Sequence, residues 1–206
     1  SAIRALITEP HSFRTLVIDH LTGVEKLLHA AMCDEYNEPD ILGRDKGSNF
    51  SFEKGYKLAA QRFTTLCEGL NVLNSKRGML ICLLAHVATP LHKSPDTDDF
   101  NYYDLAVESK FASPVFRQWA DGVFFLTRKK PLLATEDQGF GKKKAKAKLE
   151  QEPERIIYTE FRFSHTAKNR YGMPYELPFP LDGAWDIIEQ AIIGGAPSVA
   201  EEEPPK

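Results

Sequence analysis

The feature that most constrains this fold is a set of three short apolar runs in which polar residues do not alternate. They occupy residues 15–18, 79–85 and 123–126, and a polar residue follows each of them. Runs of this length and composition are typical of strands that are buried on both faces of a parallel sheet. The sequence therefore predicts parallel strands that all end at one edge of a common sheet.

Helical patterns separate these runs. Apolar residues recur every three or four positions over residues 21–36 and 53–75, and Gly78, after Lys76-Arg77, is expected to end the second helix. Ser113-Pro114 has the pattern of a helix N-cap followed by a first-turn proline. Because strands and helices alternate, the sequence predicts an α/β fold in which helices flank a mainly parallel sheet.

The pattern changes in the last third of the chain. Residues 156–163 and 175–179 are expected to pair as a C-terminal antiparallel β-hairpin. Residues 134–153 are polar and basic without an apolar face, which favours a mobile loop, and residues 194–206 are expected to be a disordered acidic tail. The ordered part is therefore expected to be one domain over residues 1–193.

Two polar residues follow the first two apolar runs directly. Asp19 follows the first run and His86 follows the second. Ligands of open α/β sheets bind at the carboxyl ends of the strands, where a carboxylate can hold Mg²⁺ and a histidine can sense a phosphate or orient a water molecule. The alternatives are that Asp19 caps the following helix and that His86 satisfies a loop carbonyl.

Two cations stand close together in the C-terminal part. Lys168 and Arg170 are two residues apart, so on an extended segment they lie on the same side. A compact ammonium and a planar guanidinium suit a transferring phosphoryl group, and at an exposed hairpin they could reach a neighbouring subunit. The alternative is an ordinary solvated hairpin with basic residues.

A run of lysines offers a second kind of phosphate contact. The net charge of the chain is only −3, so nucleic acid would have to be bound by a local patch. A mobile lysine loop can bind the backbone of single-stranded DNA without reading its sequence, although a solvated loop explains the same composition. The lysines are Lys142, Lys143, Lys144, Lys146 and Lys148.

Several common signatures are absent from the sequence. There is no G-x-x-x-x-G-K-[ST] phosphate loop, no G-x-S-x-G nucleophile, no H-E-x-x-H and no zinc-type Cys-His cluster. Cys33, Cys67 and Cys82 form no CxxC pair and are expected to be core residues in a reducing compartment. No apolar run approaches the roughly 20 residues of a membrane helix, and no signal peptide is present, so a cytoplasmic protein is expected.

Five segments, taken in order, resemble phage-encoded, RecA-like AAA-type ATPases, a group that includes proteins linked to single-strand annealing recombination. The segments are FRTLVID (13–19), EKGY (53–56), LLAHV (83–87), WADGV (119–123) and AKNRYGMP (167–174). The resemblance extends over most of the chain. It implies a RecA-like P-loop NTPase core that acts on ATP with Mg²⁺.

The resemblance also implies roles for particular residues. Asp19 would be the Walker B acid and a Mg²⁺ ligand, His86 would be the sensor of the next strand, and Lys168 and Arg170 would act as fingers in the ATP site of a neighbouring subunit. That arrangement implies a homo-oligomeric ring or filament. The expected partner is single-stranded DNA during recombination or replication in the host bacterial cytoplasm.

The chain departs from the family pattern in two respects. The phosphate loop, the first strand and the catalytic glutamate are not found, and Ser1 stands where an initiator methionine is expected, so we expect them to lie upstream. His20 follows Asp19, where other P-loop ATPases carry glutamate. This chain alone is therefore not expected to hydrolyse ATP. The alternative function is a non-catalytic DNA-binding or assembly module on the same fold.

Overall fold

The computed structural model of the chain describes residues 2–93, 98–129 and 154–194. The chain divides into two compact units, Ser1–Ala120 and Asp121–Lys206. None of the helices in the described ranges combines the length and the hydropathy that a membrane span requires.

The first unit consists of helices and short strands in mixed order. In chain order, its described elements are α1 (Ala2–Thr8), β1 (Thr15–Ile18), α2 (Leu21–Tyr36), α3 (Lys54–Arg77), β2 (Leu80–Leu83), β3 (Val87–Ala88), β4 (Leu91–His92), β5 (Phe100–Asn101), β6 (Asp104–Leu105) and α4 (Ala112–Trp119). The first predicted strand and the helix over residues 21–36 are confirmed to the residue. The second strand is shorter than predicted, and α1 has no counterpart in the sequence predictions.

A parallel pair of strands lies at the centre of the functional argument. β1 pairs with β2, with Thr15 opposite Leu80 and Ile18 opposite Leu83. This pair is the part of the predicted parallel sheet that the described residues contain. Burial on both faces, however, was a wrong expectation for these residues, because Val17 is 52% exposed and Leu80 is 44% exposed.

The covered face of this sheet packs on the long helix α3. Leu16, Ile18 and Ile81 contact a cluster formed by Leu70 and Leu73 of α3, together with Met79. These side chains leave water on folding, and apolar burial of this kind is the main stabilising term of a domain. One face of the parallel pair is thereby fixed to the rest of the unit.

Helix α3 ends where the sequence predicts a glycine stop. Gly78 has φ 62°, and its N–H donates to the carbonyl of Asn74 at 2.9 Å. Only glycine adopts this left-handed conformation without steric cost, and it turns the chain directly into β2. Arg77, in the last turn, donates two hydrogen bonds to the carbonyl of Ile7 at 2.6 and 3.1 Å, which ties α1 to the end of α3.

The start of α4 differs from the prediction. The prediction makes Ser113 the N-cap, but Phe111 occupies that position and the helix begins two residues earlier than predicted, at Ala112. Ser113 is fully buried, and its hydroxyl donates to Asp104 at 2.9 Å. The N–H groups of Phe111 and Ala112, at the start of α4, donate instead to the carboxylate of Glu108. Because the Ser113 hydroxyl donates to the buried Asp104 carboxylate, it does not cap the helix, and this tertiary contact explains why the local sequence pattern gave the wrong start.

The second unit is built on antiparallel strands. Its described elements are β7 (Gly122–Val123), β8 (Phe125–Arg128), β9 (Arg155–Tyr158), β10 (Lys168–Asn169), β11 (Glu176–Pro178) and α5 (Ala184–Gly194). β8, β9 and β11 form one sheet in the order β11-β9-β8, and β10 pairs with β7. The antiparallel pairing of β9 with β11 confirms that the two predicted C-terminal strands pair, but β9 ends at Tyr158 instead of residue 163, and β10 lies between them in sequence.

The third apolar run corrects the sequence prediction. It was expected to form a third parallel strand, but it is divided between β7 and β8, both of which pair antiparallel. Its apolar character is explained by a separate core of Ile157, Met173, Leu177 and Ile188, against which Phe124 packs. A continuous apolar run predicts burial without specifying the direction of the partner strand.

Candidate functional site

The carboxyl ends of β1 and β2 form a continuous rim. Beyond the paired strands, Leu84 N–H donates to the carbonyl of Ile18 at 3.0 Å, and Leu21 N–H donates to the carbonyl of Leu84 at 2.8 Å. The two segments that follow β1 and β2 therefore remain hydrogen-bonded to each other for about one residue beyond the sheet. This places the Asp19-His20 segment beside the segment that leads to His86.

A direct ring contact joins the two sides of the rim. The imidazoles of His20 and His86 lie with their centroids 4.2 Å apart and their planes tilted by 60°. The shared edge expected for Asp19 and His86 is thus present in the first unit. The residue that touches His86 is His20, which carried no role in the sequence predictions beyond replacing a glutamate.

His20, rather than Asp19, caps helix α2. Its Nδ1 accepts a hydrogen bond from Gly23 N–H at 3.1 Å, and its backbone is extended as expected at an N-cap position. The interpretation of Asp19 as the helix cap is therefore wrong. Because Nδ1 accepts, a neutral His20 carries its proton on Nε2.

The Asp19 carboxylate is exposed at this rim. No described residue donates a hydrogen bond to it or forms an ion pair with it. A carboxylate with all its acceptor positions open to solvent suits a hydrated divalent cation. The described residues contain no group of three His, Cys, Asp or Glu side chains that could hold a metal ion, so Asp19 fits Mg²⁺ only as one ligand among water and phosphate oxygens.

His86 is held through its backbone. Its carbonyl accepts from Ala106 N–H at 2.8 Å, and the next residue, Val87, pairs with Leu105 between β3 and β6. Its exposed imidazole donates to no carbonyl among the described residues, so the alternative of a histidine that satisfies a loop is not found there. The ring is therefore available to a ligand at the rim.

The segment around Ala106 braces both sides of the rim. The Thr22 hydroxyl, in the first turn of α2, donates to the Ala106 carbonyl at 2.6 Å, while the Ala106 N–H serves His86. The backbone of one residue thus links the helix that follows Asp19 to the segment that contains His86. No sequence signal marks this link, because Thr22 and Ala106 are 84 residues apart in sequence.

A buried carboxylate also binds the segment that contains Ala106. Glu25, one turn further along α2, is 9% exposed and accepts from Glu108 N–H at 2.7 Å. Burial raises the pKa of Glu25, the Glu108 N–H lowers it and the nearby Glu108 carboxylate raises it again. Burial also lowers the pKa of His29, on the next turn, against the opposing charge of Glu108.

The candidate finger residues lie in the second unit. Lys168 belongs to β10, opposite Val123 of β7, and Arg170 follows the strand. The Arg170 guanidinium forms an ion pair with the Asp121 carboxylate at 2.7 Å, and the backbone N–H of Arg170 donates to the Asp121 carbonyl at 3.2 Å. Burial and the neighbouring Arg170 lower the pKa of Lys168, and Asp121 raises it.

The short turn after Arg170 is fixed by its own side chains. Asn169 donates from its amide to the carbonyl of Met173 at 2.8 Å and accepts from Tyr171 N–H at 2.9 Å, and Gly172 has φ 67°. Arg170 is more than half exposed despite its ion pair. The turn therefore presents the guanidinium to solvent from a defined backbone.

Two further groups of residues complete the comparison with the sequence predictions. The lysines of the predicted DNA-binding run, residues 142–148, lie outside the described residues. Cys33, Cys67 and Cys82 are free thiols, and burial raises the pKa of Cys67 to about 11, so that thiol is protonated at neutral pH.

Comparison with known proteins gives one result at the level of the family. A family model described as an AAA domain matches residues 1–171, which is most of the chain. No curated protein and no solved structure matches it. The match includes β1, β2, Asp19 and His86, and it extends into the second unit through Lys168 and Arg170.

Proposed function

Because the chain belongs to the AAA domain family, we propose that Asp19 and His86 form part of the ATP site of a phage-type, RecA-like ATPase. The family has the P-loop NTPase fold, has nucleotide-binding, ATPase-like function and generally binds ATP with Mg²⁺. The observation that carries the proposal is the meeting of the Asp19 segment and His86 at the carboxyl ends of two parallel strands. That edge is where α/β sheets bind their ligands.

Asp19 and His86 have distinct tasks in this proposal. Asp19 would hold a bound Mg²⁺ by accepting hydrogen bonds from its water shell, and the ion would supply positive charge to the transferring phosphoryl group. The His86 imidazole faces the γ-phosphate or the attacking water and is positioned by its contact with the His20 ring. Catalysis of phosphoryl transfer is mostly positioning and electrostatics, so a rigid rim is an advantage.

In this proposal, Lys168 and Arg170 supply positive charge to the phosphate groups in the ATP site of a neighbouring subunit. Because Lys168 and Arg170 are two residues apart and Arg170 is exposed, both can approach phosphate oxygens. Before that contact forms, the guanidinium is paired with Asp121. A finger that acts in trans requires a homo-oligomer, so the proposal includes a ring or filament.

Single-stranded DNA is the proposed macromolecular partner. The lysines at 142–148 bind the phosphates of the DNA backbone through their positive charge. The proposed setting is recombination or replication in the host cytoplasm. A second candidate function is a non-catalytic DNA-binding or assembly module. The absence of a G-x-x-x-x-G-K-[ST] sequence from residues 1–206 favours it.

Turnover of the full-length gene product separates the two candidates. We expect DNA-stimulated ATPase activity that falls to background in Asp19→Asn. In Arg170→Ala, kcat should fall by roughly 10³–10⁵, the usual contribution of an arginine finger. Arg162→Ala removes an arginine that stacks on Tyr175 in the same unit and serves as the matched control. Unchanged turnover in both site variants would refute the assigned roles, and DNA binding without ATPase activity would favour the second candidate.

A further inference from the structure

An exposed aromatic ring in the first unit has no local explanation. Phe52 is 90% exposed, and both Phe52 and Glu53 have left-handed backbone conformations, with φ of 57° and 62°. A bulky residue is a steric outlier in this region, and consecutive outliers are costly. Neither burial nor backbone preference therefore accounts for a phenylalanine at this position.

The loop that carries Phe52 is firmly held. Phe50, two residues earlier, is completely buried, and the Glu38 carboxylate accepts from the Ser48 hydroxyl at 2.6 Å and from Asn49 N–H. At Gly43, an added Cβ would lie 2.3 Å from the backbone of Phe50, so the two loop segments are in direct contact. The ring of Phe52 is thus displayed to solvent by an ordered scaffold.

Four cations belong to the segments next to this ring. Lys54 follows in the first turn of α3, Lys57 lies one turn further, and Arg44 follows the glycine that touches Phe50. None of the three forms an ion pair with a described residue. Lys110 completes the group, since its Nζ pairs with Glu53 at 2.6 Å.

A second ring lies among the same cations. The Nζ atoms of Lys57 and Lys110 are 5.9 and 5.1 Å from the centroid of Phe111. The Glu53 carboxylate is neutralised by Lys110, and the Glu108 carboxylate accepts backbone N–H bonds at the start of α4. We name the surface formed by Arg44, Phe52, Lys54, Lys57 and Lys110 the Phe52 patch.

We propose that the Phe52 patch binds single-stranded nucleic acid, with a base stacked on Phe52 and phosphates held by Arg44, Lys54 and Lys57. Proteins that bind single strands without sequence preference combine aromatic platforms with cationic tracks in this way. A protein partner is less well matched, because lysine is depleted at the cores of protein interfaces. The inference rests on the nucleic-acid partner of the proposed function and assigns its contact surface.

Base stacking is tested by changing the ring while keeping the backbone. In the full-length gene product, Phe52→Asn removes the ring and tolerates the left-handed φ, and Phe52→Trp retains a platform. We expect Phe52→Asn to weaken binding of oligothymidylate roughly 5- to 150-fold, equivalent to about 1–3 kcal/mol. Phe52→Trp should bind at least as well as the wild type, and Phe13→Asn, which removes another exposed phenylalanine, is the control.

An abasic strand of equal length separates stacking from charge. Its affinity should not change in Phe52→Asn, because it offers phosphates and no base. An arm with oligouridylate establishes whether the patch accepts RNA as well as DNA. Equal weakening of the abasic and the thymidylate strands in Phe52→Asn would overturn the stacking assignment.

The cations are tested through the dependence of binding on salt. The logarithm of the binding constant falls linearly with the logarithm of the salt concentration. For single strands, the magnitude of this slope decreases by about 0.7 for each lost phosphate contact, so Lys54→Gln/Lys57→Gln should decrease it by about 1.4. Lys26→Gln/Lys76→Gln removes two exposed helical cations elsewhere in the unit and should leave the slope unchanged. An equal slope in both double variants would overturn the inference.

Further readouts separate this inference from the proposed function. If DNA binding is lost on neutralising residues 142–148 but not on changing the Phe52 patch, the inference fails and the proposed function stands. If the wild type binds no single strand at all, the DNA part of the proposed function fails with it. If Phe52→Asn disrupts self-association in sedimentation while DNA binding is retained, the ring contacts another subunit and the inference is overturned.

Discussion

Substitutions of His20 separate the two contacts that its imidazole makes. Nδ1 accepts from Gly23 N–H as the cap of α2, and the ring packs 4.2 Å from that of His86. Loss of an N-cap acceptor costs about 1 kcal/mol, and loss of an aromatic pair costs about 0.5–1.5 kcal/mol. His20→Ala should therefore lower the free energy of unfolding by about 1.5–2.5 kcal/mol.

Two conservative variants divide this loss. Asparagine is a good N-cap, so His20→Asn should retain the cap and lose only the ring contact, whereas His20→Phe should retain a ring and lose the cap. Urea unfolding followed by circular dichroism measures each effect. A double-mutant cycle of His20→Asn with His86→Ala should give a coupling of about 0.5–1.5 kcal/mol.

The same variants test whether His20 positions His86. In His20→Asn the His86 Cε1–H signal should shift and ATP turnover should fall, although the helix cap is intact. If His20→Asn is as stable as the wild type and shows no coupling to His86, the ring contact contributes nothing. If the His86 signal and turnover are unchanged in His20→Asn, His20 is only a cap.

Three further predictions concern groups with shifted pKa values. Glu25→Gln keeps the acceptor for Glu108 N–H without the buried charge and should not lower the free energy of unfolding at neutral pH, whereas Glu25→Ala should lower it by about 1–3 kcal/mol in urea titrations. Burial lowers the pKa of His165, a buried histidine of the second unit, so as the pH falls the unfolded chain takes up a proton on this imidazole before the folded chain does. The stability associated with neutral His165 is fully present above about pH 6.5 and is lost as the pH falls through the folded pKa. The denaturant midpoint of His165→Phe should therefore depend less on pH than that of the wild type. Asp121→Asn should lower the pKa of Lys168 further, because Asp121 raises it, and an NMR titration of Nζ that shows no change would contradict the ion-pair network.

The parts of the fold with strong local signals were predicted from the sequence. β1 and α2 have the predicted bounds because a run of branched apolar residues and a regular 3/4 spacing favour the same structures as the tertiary contacts do. The Gly78 stop is likewise local. The third run was misassigned because its burial comes from an antiparallel sheet in the second unit, and its sequence carries no information on strand direction.

The rim itself could be predicted only in outline. The positions of Asp19 and His86 after two apolar runs led to a shared edge, since parallel strands end on the same side. The cap at His20 was missed because aspartate is the commoner N-cap residue and histidine is not among the preferred ones. The Thr22–Ala106 and Arg170–Asp121 contacts join residues far apart in sequence, so spacing cannot reveal them.

Paramagnetic relaxation by Mn²⁺ in place of Mg²⁺ tests the central claim most directly. The chain has six histidines, so their Cε1–H signals can be assigned by single substitutions. On addition of Mn²⁺ and ATP to the full-length gene product, we predict selective broadening of the His20 and His86 signals and no such broadening in Asp19→Asn. Broadening that spares these two signals, or that persists unchanged in Asp19→Asn, would contradict a nucleotide-bound cation at this rim.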